Sequence, residues 1–364
     1  MATVSAHPTG SDVDEHPSSV RHVRTDAQWY AAGILFLAGA VVLGASMGPA
    51  GPSWWRVPLA FLDRLPLLSV DSGVTEAQWN IVWKIRMPRV LLGGLVGGML
   101  SIAGASYQGV FRNPLVDPYL LGAAAGAGLG ATFALTVGRD ATSSWVVDPV
   151  PAVSFLVAVF TVMVTYTVGA SFGGSRSGVT LVLAGVAVVS FATALQTFLL
   201  QRNLDVVREV FQWILGRLSG ATWDDVKLVT PYVVISCVVL MFHRRHLDVF
   251  RVGDEEATTL GVSVVRTRLV IVIAATLGTA AVVSVSGLIG FVGLVVPHVV
   301  RLVAGASYRR VLPLSLLIGA GFLILADVPG RMLTSPAETP IGVVTAFIGA
   351  PFFIYLLRTR KVGA

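Results

Sequence analysis

The chain has little charge and almost no cysteine, and it lacks the short motif with which a protein grips nucleotide phosphates. Only 13% of its 364 residues are charged, against 54% hydrophobic, and the mean hydropathy is +0.78. So few polar groups cannot cover a water-soluble body of this size, and the chain reads as an all-α polytopic membrane protein. Its one cysteine, Cys237, sits in an apolar run, which excludes an intrachain disulfide and a thiolate metal site. The three lysines follow Trp83, Val226 and Arg360. Without a Gly-Lys pair there is no P-loop, so the chain cannot drive itself with ATP by that device. No early apolar core with a small-residue cleavage site is present, so no signal peptide is expected.

Apolar runs fall at about 29–49, 90–110, 119–137, 150–170, 180–200, 228–242, 268–287, 289–304, 312–328 and 341–357. At roughly 20 residues per span, these make about ten transmembrane helices. The run at 289–304 is short, interrupted by Pro297, and carries His298 and Arg301, so it is expected to cross only partway. Residues 1–28 hold Pro, Ser, Asp and the histidines His7, His16 and His22 without an apolar run. They read as a disordered polar tail ahead of one transmembrane domain over 29–364.

An even number of spans puts both termini on one side. The Lys/Arg bias makes that side the cytoplasm, where Arg21, Arg24, the cluster His243 to His246, Arg251, Arg309, Arg310 and Arg358 then gather. The formal charge of +6 is scattered between apolar runs, so no nucleic-acid partner is expected.

Two stretches echo each other. SIAGASYQGVFRNPL begins at Ser101 and SVSGLIGFVGLVVPH at Ser284, and Ser101, Gly104 and Pro114 each stand 183 positions ahead of Ser284, Gly287 and Pro297. Halves of five helices enter the membrane from opposite sides, which makes the duplication an inverted-topology repeat. Interrupted backbone at membrane depth is tolerated only inside protein or beside a water-filled cavity, and the pathway is expected between the two breaks. Gly93 with Gly97, Gly94 with Gly98, and Gly122 with Gly126 and Gly130 form four-residue ladders that allow close helix packing.

After the second span, FRNPLVDPYLLG brings together Asn113, Pro114, Asp117 and Pro118. Each proline removes a backbone donor and restricts the residue before it, so the helix ends and the chain bends. A sharp interhelical turn and a functional constriction both fit. Ionisable candidates at membrane depth are few: Asp117, Asp327, His298 and Arg301. His298 reads as a hydrogen-bonded structural residue or a ligand. No second His or Cys stands where it would complete a site, so no bound metal and no cofactor are expected.

Five long strings carry a resemblance: RMPRVLLGGLVGGMLSIAGASYQGVFRNPLVDPYLLGAAAGAGLG, LVLAGVAVVSFATALQTFLL, WILGRLSG, GLIGFVGLVVPHVVRLVAG and ETPIGVVTAFIGAPFFIYLLR. In order, and over about residues 80–360, the chain resembles the FecCD-type permeases, membrane subunits of ATP-driven importers for ferric siderophores, haem and vitamin B12. The resemblance implies a type II ABC importer permease with two inverted halves of five helices. It also implies a homodimer in the cell membrane, two cytoplasmic ATP-binding-cassette ATPase subunits, an external substrate-binding protein, and no enzymatic activity in the permease itself.

The resemblance assigns residues as well. Arg86, Arg89 and Arg331 are expected to dock the external protein, as rim charges that give register and fast encounter; anchoring of helix ends at the interface is the alternative. Asn113 and Leu115 match the cytoplasmic gate, with Thr180 at a second constriction. The stretch Gly253, Asp254, Glu255, Glu256, Ala257, Leu260 and Gly261 matches the segment that couples to the ATPase. Asp254 is expected to cap a short helix there and Gly261 to stop it, and so short a helix needs a partner surface. The implied cargo is a large metal chelate, cobalamin or a ferric siderophore. A self-sufficient ion-coupled secondary transporter is the alternative, and it needs a coupling acid such as Asp117 or Asp327.

Overall fold

The computed structural model describes residues 26–64, 71–141, 148–171, 178–333 and 337–360. Hydrocarbon offers no partners to backbone N–H and C=O groups, so an apolar chain satisfies them within helices. The described residues form helices and turns and hold no strand. In chain order the helices are α1 (Asp26–Ser46), α2 (Arg56–Asp63), α3 (Glu76–Asn80), α4 (Met87–Val110), α5 (Ala123–Ala141), α6 (Pro149–Ser171), α7 (Gly178–Arg202), α8 (Val207–Ile214), α9 (Trp223–Phe242), α10 (Arg244–Phe250), α11 (Asp254–Thr259), α12 (Val264–Ser286), α13 (Val292–Ala304), α14 (Tyr308–Met332) and α15 (Ile341–Arg360). Seven helical stretches are long and apolar enough to cross a membrane, and α5, α13 and α15 are shorter apolar helices among them. These are the ten expected spans.

Contacts between distant residues define two faces. Asp26 pairs with Arg310, and the Tyr30 hydroxyl donates to the Arg309 carbonyl at 3.0 Å, so α1 starts where α14 starts. Arg331 donates to the Gly44 carbonyl at 2.6 Å, so both helices end together on the second face. The cores of the bundle are α4, α12 and α14, whereas α1, α6, α7 and α9 are largely exposed around them. Exposed apolar side chains such as Phe160, Phe191 and Phe347 suit a hydrocarbon surround.

Glycine sets the tightest crossings. A Cβ on Gly97 would lie 2.3 Å from the Gly319 carbonyl oxygen, so α4 and α14 touch backbone to backbone. Gly126 and Gly130 bring α5 equally close to α6, while Gly93 and Gly94 keep ordinary contact distances.

The helix ends extend past the apolar runs because polar residues cap them. Thr222 accepts from Asp225 N while Asp225 accepts from Thr222 N, a capping box that starts α9 several residues before the run at 228. Before α4, residues Ile81–Arg86 form a widened π turn closed by Met87 N to the Val82 carbonyl. Pro88, just beyond, has no N–H to offer the Lys84 carbonyl. The short surface helices α2, α3, α8 and α10 have no counterpart among the sequence-based expectations.

The proposed tail falls outside the described residues up to 25; Asp26, Ala27 and Gln28 belong to the first turn of α1. The partial span is observed: α13 has 13 residues, about 20 Å of helix against a hydrocarbon core about 30 Å thick.

Candidate functional site: two breaks, an apolar groove and two arginine faces

α4 runs from the second face to the first and α12 runs back, and each leads into irregular chain, 111–122 and 287–291. The echoing segments are thus antiparallel, as an inverted pair requires. The two breaks are bonded to each other. The Tyr119 hydroxyl donates to the Ile289 carbonyl at 3.1 Å and accepts from Ile289 N at 3.2 Å. Gln108 Nε2 donates to the carbonyls of Val116 and Gly293, each at 3.2 Å. A Cβ on Gly104 would sit 2.0 Å from the Gly293 carbonyl oxygen.

The expectation of a pathway between the breaks therefore fails, because their own polar groups fill that space. Open volume lies on the other side of the second break. A groove of about 490 Å³ is lined by Ile214, Leu288, Gly290, Val343, Phe347 and Ala350. It is walled by apolar side chains, and its floor is the irregular backbone whose polar groups are otherwise hard to place at that depth.

On the second face the three arginines expected as rim charges are buried, being 4%, 9% and 3% exposed at Arg86, Arg89 and Arg331. Arg86 reaches into the turn after α1 and donates to the carbonyls of Ala45 at 3.0 Å, Ser46 at 2.7 Å, Gly48 at 3.4 Å and Ala50. Arg89 grips Asp327 with two parallel bonds of 2.8 Å and Glu338 with two of 2.9 Å. Arg331 lies 3.7 Å from the same Asp327. A bidentate guanidinium bond is strong and directional, so this set locks α1, α4 and α14 together. A cleft of about 280 Å³ leads in from outside past Arg217, Glu338 and Arg89, and Arg217 is exposed.

On the first face the chain turns sharply after α4. Asn113 Oδ1 accepts from Leu115 N at 2.9 Å, and Asp117 Oδ1 accepts from Tyr119 N at 2.8 Å. Both acidic and amide side chains are thereby doing turn chemistry. Leu115 is 43% exposed at the tip of this turn. Thr180 is half-buried in the first turn of α7, and α7 meets the break further on, where Gly185 abuts the Leu120 carbonyl.

The segment 253–261 forms the short helix α11. Gly253, at φ 133, precedes it without a side-chain cap; Asp254 does not cap, because its carboxylate faces Arg268 at 2.9 Å and Arg112 at 3.5 Å. Gly261, at φ 83, ends the helix, with Val262 N bonded back to the Ala257 carbonyl at 3.0 Å. Ala257 is buried while Glu255, Glu256 and Leu260 are exposed, so α11 is moored on one side and presents acids and a leucine on the other. His298 is buried, its ring 6.3 Å from that of Phe352. Among the described residues no three His, Cys, Asp or Glu side chains converge.

The buried acid pairing of Arg89 was not foreseen from sequence, since Asp327 and Glu338 lie 238 and 249 positions away. The scarcity of charge in the spans singles out Asp327, but the resemblance assigns Arg89 to the rim.

Known proteins resemble this chain in sequence and in fold. The chain is 39% identical to a cobalamin import system permease protein of Halobacterium salinarum, over 92% of this chain and 97% of that one. It is 36% identical to a hemin transport system permease protein of Yersinia pestis, over 80% and 87%. A solved structure described as an inward-facing metal-chelate type ABC transporter superposes with a TM-score of 0.76 at 25% identity, covering 92% of this chain and 99% of that one. The FecCD transport family matches residues 35–359, nearly every described residue, and the chain belongs to that family of membrane permeases.

Proposed function

We propose that the chain is the membrane-spanning subunit of an ABC importer that passes a large metal chelate, cobalamin or a ferric siderophore, through the membrane. ATP is hydrolysed by partner subunits. The observation that supports this most is the apolar groove beside the second break: it is open on one side, so a second copy facing it would close a path between two identical walls. Such a wall holds a bulky chelate weakly, and weak holding lets cargo leave.

The first face is the cytoplasmic one in this reading, with both termini there. Asn113 and Leu115 on their bonded turn, with Thr180, narrow the exit, and Gly253 to Gly261 engages an ATPase through Glu255, Glu256 and Leu260. The external binding protein docks on the second face. Burial narrows the part of the three arginines: Arg86 and Arg331 hold the shape of the rim, a partner carboxylate reaches Arg217 directly, and it reaches Arg89 only by displacing Glu338.

The secondary-transporter alternative loses support because its two candidate acids are engaged, Asp327 by Arg89 and Asp117 by the Tyr119 amide. The test is uptake into vesicles holding the permease with or without its ATPase and binding protein. Chelate uptake is expected only with both partners and ATP; uptake by the permease alone under an ion gradient overturns the proposal. Arg217→Glu is expected to weaken docking while the fold survives.

A further inference from the structure

The first face gathers four arginines beside two carboxylates among the described residues. Arg112, Arg251 and Arg301 line a cavity of about 250 Å³ together with Gln108, Pro114 and Tyr308. Arg268 stands behind it, against Asp254. Two carboxylates are at hand for these four cations, and both are engaged. Asp254 is shared by Arg268 and Arg112 at 2.9 and 3.5 Å. Asp248 accepts from Ser307 Oγ at 3.0 Å and Tyr308 N at 2.8 Å, and lies 4.0 Å from Arg251.

Arg301 has no carboxylate among the described residues. Its guanidinium donates to Gln108 Oε1 at 2.5 Å and to the Tyr308 hydroxyl at 3.4 Å. Neutral oxygens orient it without neutralising it.

A second, independent observation concerns the backbone. Arg112 has φ 49, one of two non-glycine residues in the left-handed region among the described residues. It stands just past the end of α4, where Asn113 N bonds back to the Gln108 carbonyl at 3.1 Å. Glycine is the residue such a helix end favours, because a side chain there is strained. An arginine held in that strained position, with its side chain on the cavity, is a cost that a ligand-binding role accounts for.

We propose that this cavity binds a phosphate-class oxyanion. Three arginines line it, Arg251 donating also to the Ala306 carbonyl at 3.3 Å, and a guanidinium fork matches two oxygens of an anion. A carboxylate has two oxygens to share among them, whereas a phosphate group offers enough for all three. The cavity lies at the end of α4 and the start of α14, where these apolar spans end. The phosphate is therefore that of an anionic phospholipid or of a small soluble phosphate.

The experiment uses the full chain in a neutral detergent. Its thermal midpoint is followed against inorganic phosphate and, at matched ionic strength, chloride. Lipid retained through purification is compared after exchange into vesicles of phosphatidylglycerol or of phosphatidylcholine. Saturable stabilisation by phosphate over chloride, or selective retention of phosphatidylglycerol, supports the site, and which of the two occurs identifies the source. Arg301→Gln is expected to weaken binding about tenfold or more. Arg112→Gly relieves the strained backbone, so it is expected to keep or raise the unliganded midpoint while also weakening binding. Equal response to phosphate and chloride with no lipid preference overturns the proposal, as does undiminished binding in Arg112→Gly. An acidic segment of the ATPase filling the cavity in the assembled complex, with neither phosphate nor lipid bound by the free chain, overturns it too.

Discussion

The two faces of this protein use the same residue in opposite ways. On the second face Arg86, Arg89 and Arg331 are buried and each is held by carbonyls or carboxylates of its own chain. On the first face Arg112 and Arg251 are about half exposed, and Arg301 is steered only by neutral oxygens. A guanidinium satisfied inside the chain fixes helix ends against one another. One left with unused donors is available to something outside. Arg86, Arg89 and Arg331 thus form a clamp, while Arg112, Arg251 and Arg301 keep part of their surface or their donors open.

The clamp can be broken with the largest effect at Asp327. Asp327→Ala removes the shared acceptor of Arg89 and Arg331; Arg89 keeps Glu338, but the buried Arg331 loses its carboxylate, at a cost of about 3–5 kcal/mol. The matching change on the first face, Asp254→Ala, removes an acceptor that is 41% exposed, and is expected to cost about 1 kcal/mol or less. Thermal unfolding of the two variants in detergent measures both; equal losses would erase the contrast between the faces. Next in size is Arg86→Leu. It strips the donor from four turn carbonyls and is expected to cost about 2–3 kcal/mol, read as a lowered midpoint with an intact first face.

Between the faces, Gly104→Ala tests the bonded breaks. Its methyl would need the space of the Gly293 carbonyl in the first turn of α13, so α4 and the start of α13, next to the second break, must part, at about 1–3 kcal/mol. Exchange of the Ile289 amide with solvent is expected to speed up, because Tyr119 and Ile289 separate.

The ten spans were legible in the sequence because the membrane imposes a simple rule: apolar runs become helices of a set length. The inverted pair was legible from spacing alone, since an odd number of spans per half fixes the direction of each. The arginines were not. A run such as RMPR marks position along the chain but says nothing of a carboxylate more than 200 positions away, so rim charge and buried anchor look alike. The same blindness hid the packing of Tyr119 on Ile289, which moved the open volume from between the breaks to the flank of the second. For α11 the reverse holds. Its end at Gly261 is local backbone chemistry and could be read directly, whereas the start differs from the expectation: Gly253 stands at the cap position and Asp254 turns to arginines instead.

The smallest expected effect lies on the first face, where the contrast is also one of titration. The rings of His243 and His246 lie 5.3 Å apart, tilted by 38°, and desolvation, then the neighbouring His243, lowers the pKa of His246 below its ordinary value. With the folded value below the unfolded one near about 6.5, the folded state binds fewer protons in the interval between them. Any stability gained from keeping His246 neutral is complete above that pH and is lost as pH falls through it. The thermal midpoint is expected to drop slightly between about pH 7 and about pH 5, and the part due to this pair disappears in His246→Gln. The second-face arginines have no such titration in this range, since guanidinium stays charged. A drop of equal size in the His246→Gln variant would mean that the acid sensitivity does not come from this pair.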